Sequence, residues 1–174
     1  MFGFTRRKKQ SPETTSTAAP AAPATTEQIT APVSGRLLPM DQVPDPVFSG
    51  GLLGPGFAVD PADGVVVAPA AGMIIAVPET RHAVGLRTTG GAELLIHVGV
   101  DTVTLKGEGF TARCAEGDAV EAGAVLLEVD LAAIRDRVPS LVTPVIITNA
   151  AELAVSEPDL AAEFGQPVLS ITAP

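Results

Sequence analysis

The sequence predicts an all-β fold: an antiparallel β-sandwich or partly closed barrel with a duplicated β motif and one or two short helices. Three observations predict it. The apolar content is 46% of residues but only 3% aromatic, with no Trp or Tyr, so Val, Leu, Ile and Ala must fill the core. The 17 glycines and 16 prolines are too many for a helical protein and suit short strands joined by tight turns. From residue 29 onward, short apolar runs alternate with turn-forming clusters. A chain of 174 residues is long enough for one domain with a sizeable core.

Residues 1–27 read as a separate segment and 28–174 as the folded domain. The first ten residues, "MFGFTRRKKQ", set Phe2 and Phe4 beside Arg6, Arg7, Lys8 and Lys9; "SPETTSTAAPAAPATTEQ" follows as an Ala/Pro/Thr linker without a core. The bland reading of residues 1–10 is a solubilising tail. The sharper one is a weak anchor on an anionic membrane, where each cation is worth about 1 kcal/mol before salt screening. That gives transient attachment rather than insertion.

In the domain, "ITAPVSGRLLPM" (29–40) resembles "VVAPAAGMIIAV" (66–77): each carries Ala-Pro-x-x-Gly and then a strand-like run, 37 residues apart. A looser pair is "VEAGAVLLEV" (120–129) and "EFGQPVLSI" (163–171). Two such similarities suggest a duplicated motif rather than a repeat array. Strands are further expected at 64–68, 73–77, 83–88, 93–98, 101–105, 125–129, 144–148 and 168–172. "TTGG" (88–91) reads as the hairpin turn between two of them. One helix is expected over "LAAIRDR" with Asp130 as its N-cap, and another from near Ser156 to a stop at Gly165.

The net charge of −9 is unevenly spread: residues 11–174 hold seven basic and twenty acidic residues. An acidic body repels nucleic acid and suits a basic protein partner. A lone cysteine, Cys114, allows neither an internal disulfide nor a CxxC metal site. No apolar run is long enough for a membrane span, and the basic run is not followed by the apolar stretch of a signal peptide. The expected location is cytoplasmic, with peripheral contact at the inner membrane face through residues 1–10.

The two histidines carry the chemistry. In "ELLIHVGVD", strand alternation puts Leu94, Ile96 and Val98 on one face and Leu95, His97 and Gly99 on the other. His97 is then expected on the outer face, in an apolar depression with room above Gly99. The hairpin brings His82 near residues 97–99, and Thr80 lies where its hydroxyl can fix the His82 tautomer. Three readings follow from the residues alone. The histidines are structural and inert; or His82, His97 and Asp101 hold a catalytic zinc, which usually takes three protein ligands; or His97 is a nucleophile that carries phosphate, with His82 as its electrostatic partner.

"GAELLIHVGVDTV" (91–103) resembles the active-site signature of the glucose-type enzyme IIA component of the bacterial sugar phosphotransferase system: Gly, two residues, three aliphatics, His, aliphatic, Gly, aliphatic, any residue, Thr, aliphatic. The resemblance extends through "APVSG", "VPDPVFSGGLLGPGFAV", "APAAG", "ETRHA", "LKGEGF", "EGDAV" and "LVTPVIITN", over about residues 29–149. Two departures are Pro78, where relatives often carry Phe, and Arg81, where a neutral residue is common.

This resemblance implies a phosphocarrier. His97 takes a phosphoryl group from the phosphocarrier protein HPr and passes it to a cysteine of the IIB domain of a sugar permease. His82 and Thr80 match the supporting residues. Asp45 and Asp101 match acids at the rim, and Val47, Phe48, Leu52 and Val103 the apolar patch that partners cover. No cofactor is required; zinc is implied at His82 and His97 only when a partner adds a further ligand. The family also implies regulatory binding of other proteins according to phosphorylation state. A purely regulatory module is the alternative from another class, and a zinc hydrolase a more remote one.

Overall fold

The computed structural model describes residues 25–174. The basic segment and nearly all of the expected linker therefore lie outside the described residues. Thirteen strands are described: β1 (Thr26–Thr30), β2 (Gly35–Pro39), β3 (Gly56–Pro61), β4 (Val65–Val67), β5 (Gly72–Ala76), β6 (Ala83–Thr88), β7 (Glu93–His97), β8 (Phe110–Ala112), β9 (Ala119–Val120), β10 (Val125–Val129), β11 (Thr143–Ile147), β12 (Ala154–Val155) and β13 (Pro167–Thr172). Two single-turn helices accompany them, α1 (Pro46–Ser49) and α2 (Leu131–Ile134). The large antiparallel sheet has the order β2-β3-β11-β7-β6-β5-β9; two three-stranded sheets, β1-β13-β12 and β4-β10-β8, complete the sandwich. The large sheet stays open between its edges β2 and β9.

The duplication read from the sequence is physical. Thr30 N–H donates to the Pro69 carbonyl at 3.1 Å, and Val67 N–H donates to the Pro32 carbonyl at 2.7 Å. These pairs exchange under the 37-residue offset, so the two Ala-Pro-x-x-Gly segments bond each other reciprocally. The glycines ending them behave alike: a Cβ on Gly35 would fall 2.1 Å from the Asp60 carbonyl oxygen, and one on Gly72 2.2 Å from that of Arg87. Only glycine lets the neighbouring backbone come so close. The looser similarity also has a counterpart, since β10 pairs with β4 as β13 pairs with β1. Each of those strands follows a left-handed glycine, Gly123 (φ 84°) or Gly165 (φ 87°).

The core has two unequal parts. The larger fills the sandwich with Phe57, Val59, Leu94, Ile96, Val145 and Ile147 among others. The smaller lies on the opposite face of the large sheet and gathers Leu38, Val43, Phe48, Ala58, Val100 and Ile146, with Leu95 packed against it. Strand β11 is accordingly buried along both faces. Strand β7 alternates as expected, with Leu94, Ile96 and Val98 buried and Leu95 and His97 half-buried toward the smaller cluster.

Two expected elements are different. Residues 101–105 are no strand: a 3-10 turn spans Thr102–Leu105. Its β-branched residues favour extension, but Asp101 is left-handed (φ 58°) and the Thr102 hydroxyl donates to the Val98 carbonyl at 2.6 Å, which curls the chain. Nor does a helix run from Ser156 to Gly165. There the amides of Ser156 and Asp159 donate to the carbonyls of Ser170 and Val168, so the segment follows β13 as an irregular strap. The helix at Asp130 is present, and the Asp130 carboxylate accepts from the Ala133 amide at 3.0 Å.

Candidate functional site

His97 ends β7 and lies directly opposite Ala83 of β6. The turn between these strands is built as its sequence requires. Gly91 is left-handed (φ 90°), its amide donates to the Thr88 carbonyl, and the Thr88 hydroxyl accepts from the Ala92 amide at 3.0 Å. The register then places His82 one residue before β6, where its carbonyl accepts from the Val98 amide at 2.8 Å. Backbone pairing alone therefore brings the two imidazoles together. Their ring centroids are 4.9 Å apart and the planes meet at 74°.

Each ring is held through its Nδ1. His97 Nδ1 lies 2.8 Å from the Gly99 carbonyl oxygen. A carbonyl only accepts, so Nδ1 carries the proton and the neutral ring presents the lone pair of Nε2. His82 Nδ1 lies 2.6 Å from the Thr80 hydroxyl. Phe48 of α1 closes the other side of His97, with ring centroids 5.0 Å apart and a tilt of 55°. Helix α1 is started by Asp45, whose carboxylate accepts from the Val47 amide at 2.7 Å, and Pro46 fits its first position.

Burial lowers the pKa of both histidines. For His82 the neighbouring charge of His97 adds to the fall. For His97 the bond to the Gly99 carbonyl opposes it, and so do the carboxylates of Asp45 and Asp101. The result is a pair of rings that stay neutral at neutral pH, one with an available lone pair beside a second that can donate. A neutral imidazole is a competent nucleophile.

The sequence-expected residues gather unevenly. His97, His82, Thr80 and Phe48 are in contact, and Asp45 and Asp101 are near enough for their charges to act on His97. Val47, Leu52 and Val103 are exposed at 46%, 79% and 49%, as are other apolar side chains such as Met73 and Phe164. Phe48 is instead 7% exposed and belongs to the small core. Sequence reasoning left room above Gly99 beside His97, next to backbone amides. Those of Val98 and Val100 already donate, to His82 and Ser140. It missed the role of the Gly99 carbonyl, which strand alternation cannot show. Among the described residues no group of three His, Cys, Asp or Glu side chains converges as a metal site, so His82, His97 and Asp101 do not form a zinc triad. No helix of the described residues is long and apolar enough to cross a membrane.

Residues 27–153 match the family described as phosphoenolpyruvate-dependent sugar phosphotransferase system, EIIA 1. The chain is 47% identical over 163 residues to the glucose-specific EIIA component of the PTS system of Halalkalibacterium halodurans, covering 94% of this chain and 89% of that one. It is also 47% identical over 133 residues to the glucosamine-specific EIICBA component of the PTS system of Bacillus subtilis, covering 76% of this chain but 21% of that longer protein. Among solved structures, the glucose permease IIA of Mycoplasma capricolum superposes with a TM-score of 0.80 at 34% identity, covering 84% of this chain and 96% of the other.

Proposed function

The chain belongs to the EIIA 1 family of the phosphoenolpyruvate-dependent sugar phosphotransferase system, and from that premise we propose that His97 is the residue that carries its phosphoryl group. The chain is a phosphocarrier in sugar uptake, handing on a phosphoryl group that it does not generate. The donor class for this family is HPr and the acceptor class a IIB domain. In the longer Bacillus subtilis relative, named as an EIICBA component, the matching portion is one part of a single protein.

The observation that carries the assignment is the bond from His97 Nδ1 to the Gly99 carbonyl, which leaves Nε2 as the nucleophile. In the first half-reaction the Nε2 lone pair attacks phosphorus; the bond from phosphorus to the donor atom of HPr breaks and its electron pair returns to that atom. In the second, a IIB cysteine thiolate attacks phosphorus and the pair of the Nε2–P bond returns to His97. Both steps need positioning and charge stabilisation more than covalent help from the protein. With the Thr80 hydroxyl donating to its Nδ1, His82 keeps a proton on Nε2 for a phosphoryl oxygen. Phe48 shields one side of the ring from water.

Exposed Val47, Leu52 and Val103, with the acids Asp45 and Asp101, form the face we assign to both partners and to any regulatory target. The acids attract a basic rim and the apolar side chains lose water when covered. Two imidazoles are two ligands short of a tetrahedral zinc. The pair therefore holds zinc only where a docked protein supplies the rest, and neither half-reaction needs it. The domain expected over 28–174 gains Thr26 and Glu27 at its start, since both belong to β1 and pair with β13, and it works in the cytoplasm. The sugar is left to the permease, since the glucose- and glucosamine-specific relatives are equally identical to this chain.

The test is phosphorylation with phosphoenolpyruvate, enzyme I and HPr. One acid-labile phosphate is expected on the wild-type chain and none on His97→Ala. His82→Gln is expected to accept phosphate yet pass it poorly to IIB. Full labelling of His97→Ala would refute the assignment, and equal loss of both half-reactions in His82→Gln would refute the separate roles.

A further inference from the structure

Three non-glycine residues among those described have left-handed backbone: Arg81 (φ 52°), Asp101 (φ 58°) and Lys106 (φ 52°). All three border the histidine pair. Arg81 precedes His82. Asp101 and Lys106 bracket the 3-10 turn that follows His97. Lys106 leads into Gly107, which packs against the turn before His82: a Cβ there would lie 3.7 Å from the carbonyl oxygens of Glu79 and Thr80. Left-handed backbone is unfavourable for residues with a Cβ and persists where the surroundings over-determine it.

From this arrangement we infer that Arg81 is a positioning residue for phosphoryl transfer, acting through its left-handed backbone to clip Thr80 onto His82. The inference rests on the reading of His82 as support for a phosphorylated His97. The chain is fixed on both sides of Arg81. Its own amide donates to the Pro78 carbonyl at 2.8 Å, closing a turn over 78–81. Immediately after it, the His82 carbonyl is tied to the Val98 amide at 2.8 Å, and Ala83 is paired with His97. The reversal between these anchors falls on one residue. An extended chain would hold the Cα atoms of Thr80 and His82 about 7 Å apart. The left-handed residue between them contracts the chain, and the hydroxyl reaches Nδ1 at 2.6 Å.

The guanidinium has a different situation. Arg81 is exposed, and it forms no ion pair among the described residues, whereas Arg36, Arg87, Arg113 and Arg137 each do. The influences on His82 are burial and then the charge of His97. Backbone conformation and side-chain charge therefore separate cleanly by substitution.

Four full-length variants test this. R81G and R81N remove the charge but tolerate positive φ. R81K keeps the charge. R81V carries a β-branched side chain that resists the left-handed region. The first readout is the nitrogen-15 NMR signature of the His82 ring in the unphosphorylated protein, which does not depend on where the phosphoryl group sits. The second is the rate of transfer to IIB. R81G, R81N and R81K are expected to keep the wild-type ring signature and rate. R81V is expected to show the ring signature of T80A and to lose transfer roughly tenfold, with no further loss in the T80A/R81V double variant because both break one contact. If R81V does not fold, R81T, also β-branched, supplies the same contrast with R81G. Losses in R81G and R81N equal to that in R81V would assign the role to charge and overturn the inference, as would a wild-type ring signature in a folded R81V. A phosphoryl group found elsewhere than on His97 would instead overturn the functional reading and leave the ring signatures unchanged.

Discussion

Phe48 covers His97: their ring centroids are 5.0 Å apart, and Phe48 is 7% exposed while its neighbour Val47 is 46% exposed. Adjacent positions of one helical turn thus separate a residue that builds the site from one left exposed. The difference follows from the N-cap, since Asp45 holds the Val47 amide and turns the next side chain inward over the ring.

Phe48→Ala is expected to act twice. Removing a buried phenyl ring costs about 3 kcal/mol, near the low end for such truncations because the cluster around it is small and at the edge. Opening that side of His97 also admits water, so phosphohistidine on the variant is expected to hydrolyse several-fold faster. Phe48→Leu keeps most of the packing and most of the shielding. The checks are denaturant unfolding and the half-life of the labelled protein. An unchanged half-life in a destabilised Phe48→Ala would reduce Phe48 to packing.

The histidines set a pH dependence whose sign is fixed by burial. Both have pKa values lowered on folding, while in the unfolded chain they titrate near 6.5. Between the folded and unfolded values the unfolded chain binds more protons, so stability rises with pH through that window. The contribution is complete above about pH 6.5 and is lost as pH falls through the folded values. NMR titration is expected to place both midpoints below the reference. Asp45→Asn should lower that of His97 further by removing a carboxylate that supports its charge. Acceptance from HPr should persist into mildly acidic buffer. Midpoints at or above the reference would contradict the burial argument.

Much of this site was legible because strand physics is regular. Alternation along 93–98 gives the face of His97, and the hairpin at 88–91 gives the approach of His82; both are observed. The duplication was legible because Gly35 and Gly72 occupy equivalent close approaches that a Cβ would block. What stayed hidden depends on contacts between distant segments. The run at 101–105 reads as a strand until Asp101 turns left-handed, and the strap at 156–165 reads as a helix until β13 takes its amides. Strand β3 is bounded by Gly56 and Pro61 and carries Asp60, so its apolar signal is short; pairing with β2 and β11 makes it a strand. The α1 turn at Pro46–Ser49 is too short to show any periodicity.

The last prediction concerns residues 1–10, where Phe2 and Phe4 accompany four cations ahead of a strongly acidic domain. The domain alone should be repelled by an anionic bilayer, and the segment reverses that charge locally. Weak binding to anionic vesicles is expected, fading as salt shortens the reach of each cation to about 8 Å at physiological ionic strength. The place of the deletion matters. Strand β1 starts at Thr26, whose hydroxyl bonds that of Thr172 at 2.9 Å, and Glu27 pairs with Ile171. Cutting at residue 27 would remove two residues of a paired strand, so the clean comparison is the full chain against one lacking residues 1–24. The shortened chain is expected to lose vesicle co-sedimentation at low salt while accepting phosphate from HPr at the full-length rate, because β6, β7 and their turns position His97 and His82. Equal sedimentation of the two chains, or none by the full chain, would leave residues 1–10 without a role at the membrane.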